Sequence, residues 1–299
     1  MVVPVRDVDP RARFFAEGID RRCELVAADV TDYDALRDAI AEHGVDAVFH
    51  LAAQPIVGIA NRAPHSTWES NIRGTYVVLE ACRAAGGVER VVVASSDHAY
   101  GDHDEMPYRE DYSFDAIYPY DVSKACADLI ARCYAASYGM PVAVSRMANT
   151  YGGGDLNWSR IVPDTMRALV ASERPVIRSD GSPERDYLYV ADAIDAYLAI
   201  ARSLDDPAFH GRAWNVGLGK GISALELVRT MISVCGKDLE PEVRGTGSPG
   251  GEIDIQYVDP TAIRDELGWA PAYDVARGLE EAYRWYEAHL SAAAEPVRG

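Results

Sequence analysis

Long hydrophobic runs, paired cysteines and an excess of positive charge are all missing from this sequence of 299 residues. No apolar run approaches the ~20 residues that span a membrane, and no secretory signal pattern opens the chain. The formal net charge of −18 argues against nucleic acids and anionic membranes as partners. An anionic substrate would therefore need a local basic pocket.

The five cysteines are odd in number and scattered, and none belongs to a CxxC pair. Without such a pair or an export signal, we expect reduced thiols in a cytoplasmic protein. The spacing of His, Cys, Asp and Glu residues likewise indicates no metal site.

Apolar strand segments alternate with helical segments over the first half of the chain. This order predicts an α/β fold with a doubly wound parallel sheet. Ligands of such sheets bind at the carboxyl ends of the strands. Asp7, Asp29, Ala52 and Ser96 all stand at such ends. The predicted strands are 2–5, 23–28, 46–51, the segment from Arg90 and 140–146, with helices ending near Glu42 and spanning about 68–85.

Polar side chains follow the buried strand that begins at Arg90, in the order Ser96, Asp97 and His98. Further on, Tyr120 and Lys124 are four residues apart and share one helical face. A tyrosine titrates near ~10, so a phenol that acts as a base near neutrality needs a shift of about 3 units. The Lys124 ammonium and any nearby cationic cofactor ring would act in that direction, and Ser96 would share the proton.

The strand ending in Ser-Ser-Asp-His, followed by Tyr-x-x-x-Lys, resembles the extended short-chain dehydrogenase/reductase family, which modifies nucleotide sugars. The resemblance covers essentially the whole chain and implies Ser96, Tyr120 and Lys124 as the catalytic set. It also implies a Rossmann-type domain and a homodimer formed through the helices around 68–85 and 120–136. The expected domains are 1–150, joined by 186–217, for the dinucleotide, and a smaller α/β substrate domain of 151–185 and 218–299.

A fold of this kind begins with a strand, a Gly-rich turn and a helix, about 30 residues in all. Nothing before Val2 supplies this unit, and Asp7 stands where the acidic residue for the ribose hydroxyls follows it. Pro4 is also poorly suited to an interior strand. We therefore expect the sequence to start at the second strand of the fold. A start assigned too late is favoured over a real loss, which would impair nucleotide affinity.

The resemblance implies NAD as the cofactor, and Asp7 favours it, although Arg6 leaves NADP open. For the substrate it implies Asn149, Arg160 and Arg185, since a guanidinium suits a nucleotide phosphate. Segments 52–57 and 152–163 are similar to CDP-glucose 4,6-dehydratases, which suggests CDP and leaves GDP open. The cofactor-binding residues are expected to be Asp7, Asp29, Val30, Leu51, Ala52, Ala53, Gln54, Asn71, Tyr120, Lys124 and Met147.

Asp97 and His98 decide which reaction is expected. We interpret Asp97 as the acid that protonates a departing C6 hydroxyl, which requires burial to raise its pKa. His98 stands where the dehydratases carry Glu or Lys, and an imidazole that titrates near ~6.5 suits a C5 base. An equally open interpretation is that His98 is a substitution that weakens the reaction. Alternatively, Asp97 caps the following turn and His98 points to solvent.

Three functions therefore stay open. The leading hypothesis is a nucleotide-sugar 4,6-dehydratase that retains NAD through its cycle. The second is a 4-epimerase or decarboxylase on the same scaffold, and the third is a non-catalytic relative that serves as a binding or assembly module.

Overall fold

The computed structural model describes residues 1–245 and 253–294. The strands are β1 Val2–Val5, β2 Glu24–Ala27, β3 Ala47–His50, β4 Arg90–Ala94, β5 Val142–Met147, β6 Asn149–Tyr151, β7 Val176–Ile177, β8 Glu184–Arg185, β9 Tyr187–Tyr189, β10 Ala213–Val216, β11 Ile222–Ser223, β12 Glu242–Val243 and β13 Ile255–Gln256. The α helices are α1 Arg13–Ala16, α2 Tyr33–Glu42, α3 Val57–Arg62, α4 Pro64–Trp68, α5 Gly74–Ala85, α6 Pro119–Tyr138, α7 Ile161–Val170, α8 Val190–Ser203, α9 Ala224–Val234, α10 Thr261–Leu267 and α11 Val275–Ala294.

A four-stranded parallel sheet in the order β10-β5-β4-β3 forms the centre of the molecule. Alternate side chains of β4 point to opposite faces, so Val91 and Val93 pack with α2, α5 and α6, whereas Val92 packs with α8 and β10. Because helices cover both faces, the middle strands are apolar throughout instead of alternating. This is the Rossmann-type α/β arrangement expected from the sequence.

The first two strands form a parallel pair of their own. Within the described residues, no ladder joins β1 or β2 to β3. Helix α2 connects the pair to the rest by packing against α5 in a shared apolar core. Apolar side chains of β2 and β3 are nevertheless partly exposed: Leu25, Phe49 and Leu51, the last directly after β3, are 40%, 38% and 52% exposed. The β1-β2 pair is thus separated from the four-stranded sheet at its β3 edge. The expected lack of a first strand–turn–helix unit stays a prediction.

A second core lies between α7, α9 and α11, where Met166, Leu227 and Leu279 are fully buried. Short strands β7, β8, β11, β12 and β13 flank this core. By contrast, α8 packs on the central sheet and β10 is one of its strands. We propose on this basis a dinucleotide domain of 1–150 with 186–217 and a substrate domain of 151–185 and 218–299. Residues 246–252 and 295–299 of that division lie outside the described part.

The single helix predicted for 68–85 is instead α4, a π-helical turn at Glu69–Arg73, and α5. Gly74 begins α5, and a Cβ there would meet Cγ2 of Val30 at 2.8 Å. A glycine therefore lets this helix approach the end of β2. Among the described helices, none combines the length and apolar character needed to cross a bilayer.

Candidate active site

The segment after β4 carries the polar groups of the site in one tight turn. Ser96 is extended and caps a 3-10 turn at Asp97–Tyr100, with its hydroxyl accepting from the His98 amide. Gly101 ends the turn at φ 77°, and a Cβ there would lie 2.5 Å from the carbonyl of Asp115. Both the left-handed conformation and the close approach therefore require glycine.

Helix α6 supplies the other half of the site. Pro119 occupies its first turn, where the missing N–H costs nothing, and Gly139 ends it in the left-handed conformation. Tyr120 and Lys124 face the end of β4 from the first two turns, and both are buried. The Lys124 ammonium donates to the carbonyl of Ala94 at 2.8 Å.

Ser96, His98, Tyr120 and Lys124 line one cavity of about 620 Å³. The structure therefore brings together four of the five residues predicted to be catalytic. The fifth, Asp97, lies directly behind them, because its carboxylate accepts from the Ser96 hydroxyl at 2.8 Å.

Burial raises the pKa of Tyr120 above its ordinary value, although the Ser96 hydroxyl acts in the opposite direction. Burial also lowers the pKa of Lys124 to about 8. The expected lowering of this pKa by Lys124 together with a cationic cofactor ring stays a prediction. Among the protein's own groups, loss of water around the phenolate sets the direction of the shift.

Asp97 is 1% exposed and therefore does not face bulk solvent. One carboxylate oxygen accepts from the Ser96 hydroxyl and from the His98 amide, whereas the residue that caps the turn is Ser96. The other oxygen is buried and has no hydrogen-bond partner within the described residues. Burial raises the pKa of Asp97, against the opposing charge of His98. Burial thus disfavours the ionised form of Asp97, and one of its oxygens is uncommitted within the described residues.

His98 points into the cavity and not to open solvent, since its side chain is only 16% exposed. Its Nδ1 lies 2.9 Å from a carboxylate oxygen of Asp121, and its ring packs edge to face on Tyr120 at 5.4 Å. Burial alone would lower the pKa of His98, but the Asp121 hydrogen bond and the Asp97 and Asp121 charges raise it overall.

The predicted cofactor residues fall into two groups. Leu51, Ala53 and Met147 line the same cavity as Tyr120 and Lys124. Ala52 and Gln54 lie in the same loop after β3, outside that lining.

Asn71 is 2% exposed, and its side-chain amide is engaged within the protein. Its amide oxygen accepts from the Gln54 amide, and its nitrogen donates to the Gln54 carbonyl and the Ser123 hydroxyl. Because both ends of the amide are engaged, Asn71 fixes the loop after β3 against α6.

The remaining cofactor residues stand apart from this cavity, at the ends of β1 and β2. The Arg6 guanidinium lies 2.5 Å from Asp7 and 3.6 Å from Asp29, so it joins the two carboxylates. The Asp29 side chain also accepts from the amide and hydroxyl of Thr31, and these hydrogen bonds lower its pKa. Val30 packs against Gly74 beside them.

The predicted substrate residues Asn149, Arg160 and Arg185 all line the cavity that holds Tyr120. Arg160 and Arg185 also line a second cavity of about 350 Å³, bordered by β7. Arg160 pairs with Asp155 at 3.1 Å, and Arg185 donates to the carbonyls of Glu184 and Asp254. Two guanidinium groups therefore stand where the two cavities meet.

Comparison with known proteins supports the resemblance seen in the motifs. A model of the NAD dependent epimerase/dehydratase family matches residues 3–217. The chain belongs to this family. It is 29% identical over 275 residues to a CDP-glucose 4,6-dehydratase from Salmonella typhimurium, covering 88% of this chain and 76% of that protein.

Solved structures of two enzyme types resemble this family member. A dTDP-glucose 4,6-dehydratase from Streptomyces venezuelae with NAD bound gives a TM-score of 0.81 at 28% identity, over 93% of this chain and 84% of the other. A UDP-glucose 4-epimerase from Thermotoga maritima with UDP-glucose gives a TM-score of 0.83 at 27% identity, over 92% of this chain and 87% of the other. The recognition, the fold class and the NAD dependence expected from the sequence are thus confirmed.

Sequence reasoning missed several residues of this epimerase/dehydratase site. Asp121 directly follows Tyr120, but nothing in the sequence shows that the 3-10 turn brings His98 against it. Tyr151 and Tyr187 line the cavity from β6 and β9, and Arg62 lines it from α3. Only the parallel pairing of β6 with β9 reveals that the two tyrosines share one wall. The described residues contain no group of three or more His, Cys, Asp or Glu side chains that could hold a metal ion.

Proposed function

We propose that this protein is a nucleotide-sugar 4,6-dehydratase, which forms an NDP-4-keto-6-deoxy sugar and retains NAD through its cycle. The observation that carries the proposal is Asp97: a buried carboxyl with a raised pKa and an uncommitted oxygen, directly between Ser96 and His98. An epimerase needs no acid at this place, whereas removal of a hydroxyl as water does.

The residues at the nicotinamide end fit NAD. An ammonium has three donors, and within the described residues Lys124 uses one of them on the carbonyl of Ala94, so donors remain for the hydroxyls of a ribose. Lys124 shares its cavity with Tyr120 and Met147. At the far end, the Asp7 and Asp29 carboxylates stand at strand ends, where the ribose of a dinucleotide is held in such folds. Bound NAD would accept a hydride from C4 of the sugar and return it to C6.

The protein's own groups handle the protons. Tyr120 takes the proton of the sugar's 4-hydroxyl, with Ser96 beside it. His98 takes the C5 proton, and Asp97 gives its proton to the C6 hydroxyl, which leaves as water. His98 then returns its proton to C5. Tyr120 has gained one proton and Asp97 has lost one, so a single transfer between them restores the site.

The nucleotide would extend from the first cavity into the second. Arg160 and Arg185 line both, and guanidinium groups bind phosphate oxygens in a bidentate manner. We place the diphosphate between them, the sugar beside Tyr120 and the base near β7. These two guanidinium groups would supply the local basic pocket that an anionic substrate requires in a chain of net charge −18.

We further propose a cytoplasmic homodimer. All five cysteines are free, as suits a reducing compartment. Trp68 of α4, Tyr76 of α5 and Leu129 of α6 are 45%, 42% and 54% exposed. Both α4 and α5 pack against α6, and exposed apolar side chains on neighbouring helices suit an interface.

The experiment is a panel of CDP-, dTDP-, UDP- and GDP-hexoses incubated with the protein and NAD, with products read by mass spectrometry. The proposal expects a product that is lighter by one water from at least one of them. A product of unchanged mass inverted at C4 would support the epimerase, which the similarity to the Thermotoga maritima epimerase favours as second candidate. Loss of CO₂ from a uronic acid would indicate the decarboxylase, and failure to bind NAD or any sugar would indicate the non-catalytic relative.

A further inference from the structure

The contact between His98 and Asp121 stands out because the proposed reaction uses only His98. Asp121 is 3% exposed and lies in the first turn of α6. Its carboxylate oxygen is 2.9 Å from Nδ1 of His98. A carboxylate only accepts hydrogen bonds, so this contact requires a proton on Nδ1.

The other ring nitrogen is uncommitted. Within the described residues Nε2 of His98 has no hydrogen-bond partner, and it is not among the buried unpaired atoms. Because His98 lines the cavity, Nε2 is the nitrogen that can meet a ligand there. With the proton held on Nδ1, Nε2 carries a lone pair.

We propose that Asp121 is a positioning residue that forms a carboxylate–imidazole pair with His98 and presents Nε2 as the base for the sugar's C5 proton. This inference rests on the proposed dehydratase function. In the step, the C5–H bond breaks, the proton bonds to Nε2, and the electron pair forms the C5–C6 double bond as the C6–O bond breaks. The resulting imidazolium is stabilised by the buried carboxylate through Nδ1, as in Ser-His-Asp triads.

The surroundings of His98 determine the pH dependence. Asp97 of the same turn and Asp121 of α6 favour its protonated form, Arg185 of β8 disfavours it, and the Tyr120 ring packs on it. Because the neutral form is needed, C5 abstraction should fail as pH falls below the pKa of His98. Asp121→Asn removes a cause that raises this pKa, so the acidic limb of the rate profile should move to lower pH.

The test measures solvent deuterium entering C5 of a nucleotide sugar that the wild-type protein dehydrates, for Asp121→Asn, His98→Gln and the double variant. Asp121→Asn should slow exchange by about 10²- to 10⁴-fold, with the acidic limb at lower pH and with C4 oxidation retained. In the His98→Gln background, Asp121→Asn should change the rate less than about threefold, because coupled residues are not additive. Full additivity, or an unmoved pH profile, would overturn the proposal.

Asp115→Asn is the matched control, because Asp115 also lies near a histidine, His103, at 3.8 Å, but outside the cavity. It should leave exchange unchanged. ¹⁵N NMR of the imidazoles gives a second readout that needs no substrate, with the His98 signal identified by its loss in His98→Gln. Wild type should show Nδ1 protonated and Nε2 bare. If the protein shows this protonation but dehydrates no sugar, the proposed function is wrong and the His98–Asp121 pair stands. A proton on Nε2 of neutral His98 would contradict the pair itself.

Discussion

At the residue scale, the site depends on one short turn that places a hydroxyl, a carboxyl and an imidazole in succession. Ser96, Asp97 and His98 use the 3-10 turn after β4 to point into or behind the same cavity. Their environments differ although they are neighbours in sequence: Asp97 is fully enclosed, whereas His98 reaches the cavity. Such differences in environment separate acid from base.

Asp97→Asn should reduce formation of the 4-keto-6-deoxy sugar by about 10²- to 10⁴-fold, because an amide cannot protonate the departing hydroxyl. Oxidation at C4 should continue, since Tyr120 and Lys124 are untouched. Mass spectrometry of the products, with reduced cofactor followed by absorbance, measures both. Asp102→Asn, an exposed neighbour, is the control. Undiminished dehydration in Asp97→Asn would remove Asp97 from the mechanism.

The identities of the site residues could be predicted from the sequence where a motif contains them. The pKa shifts of those residues could not. Tyr120 and Lys124 follow from a spacing of four, and their shared cavity agrees with it. The direction of the Tyr120 pKa shift depends on how much water the fold excludes, which no local pattern encodes. Asp121 was missed for a similar reason, since its partner His98 is 23 residues away along the chain.

At the element scale, a buried ion pair joins the parts that carry the site. Arg146 of β5 is 2% exposed and donates to Asp128 of α6 at 2.8 Å. It also donates to the Tyr100 hydroxyl, which ends the turn after β4. One guanidinium therefore connects the helix of Tyr120 with the turn of Asp97.

Asp128→Ala should lower the free energy of unfolding by about 3–5 kcal/mol, because it leaves the Arg146 charge buried without its partner. Urea denaturation measures this loss. Glu280→Ala removes one of the two exposed partners of Arg284 and should change stability by less than about 1 kcal/mol. Equal effects of the two substitutions would show that the buried pair does not hold α6 in place.

Element prediction succeeded where the pattern was strong. The apolar run from Arg90 and the Tyr-x-x-x-Lys spacing predicted a strand and a helix, and the structure has β4 beginning at Arg90 and α6 at Pro119. The helix predicted over 68–85 is divided by a π-helical turn, which ends directly before the glycine that lies against Val30. The sequence pattern predicted a helix here but not this turn.

At the scale of the whole molecule, the exposed apolar side chains of Tyr76 on α5 and Leu129 on α6 lead us to expect self-association. Leu129→Glu should convert a dimer to a monomer, because a charge at a dry interface lacks a partner. Sedimentation velocity measures the mass. Ile194→Glu on α8 is a matched control, since Ile194 and Leu129 are each 54% exposed. A wild-type monomer, or dissociation by both variants, would contradict this interface.

The central claim is that the cluster of Ser96, Asp97, His98, Tyr120 and Lys124 expels water from a sugar after oxidation at C4. The most direct measurement uses a nucleotide hexose that carries deuterium at C4 and locates the label in the product by NMR. We predict a 4-keto sugar with the deuterium in a new C6 methyl group. Deuterium still at C4, in a sugar that keeps its C6 hydroxyl, would contradict the account.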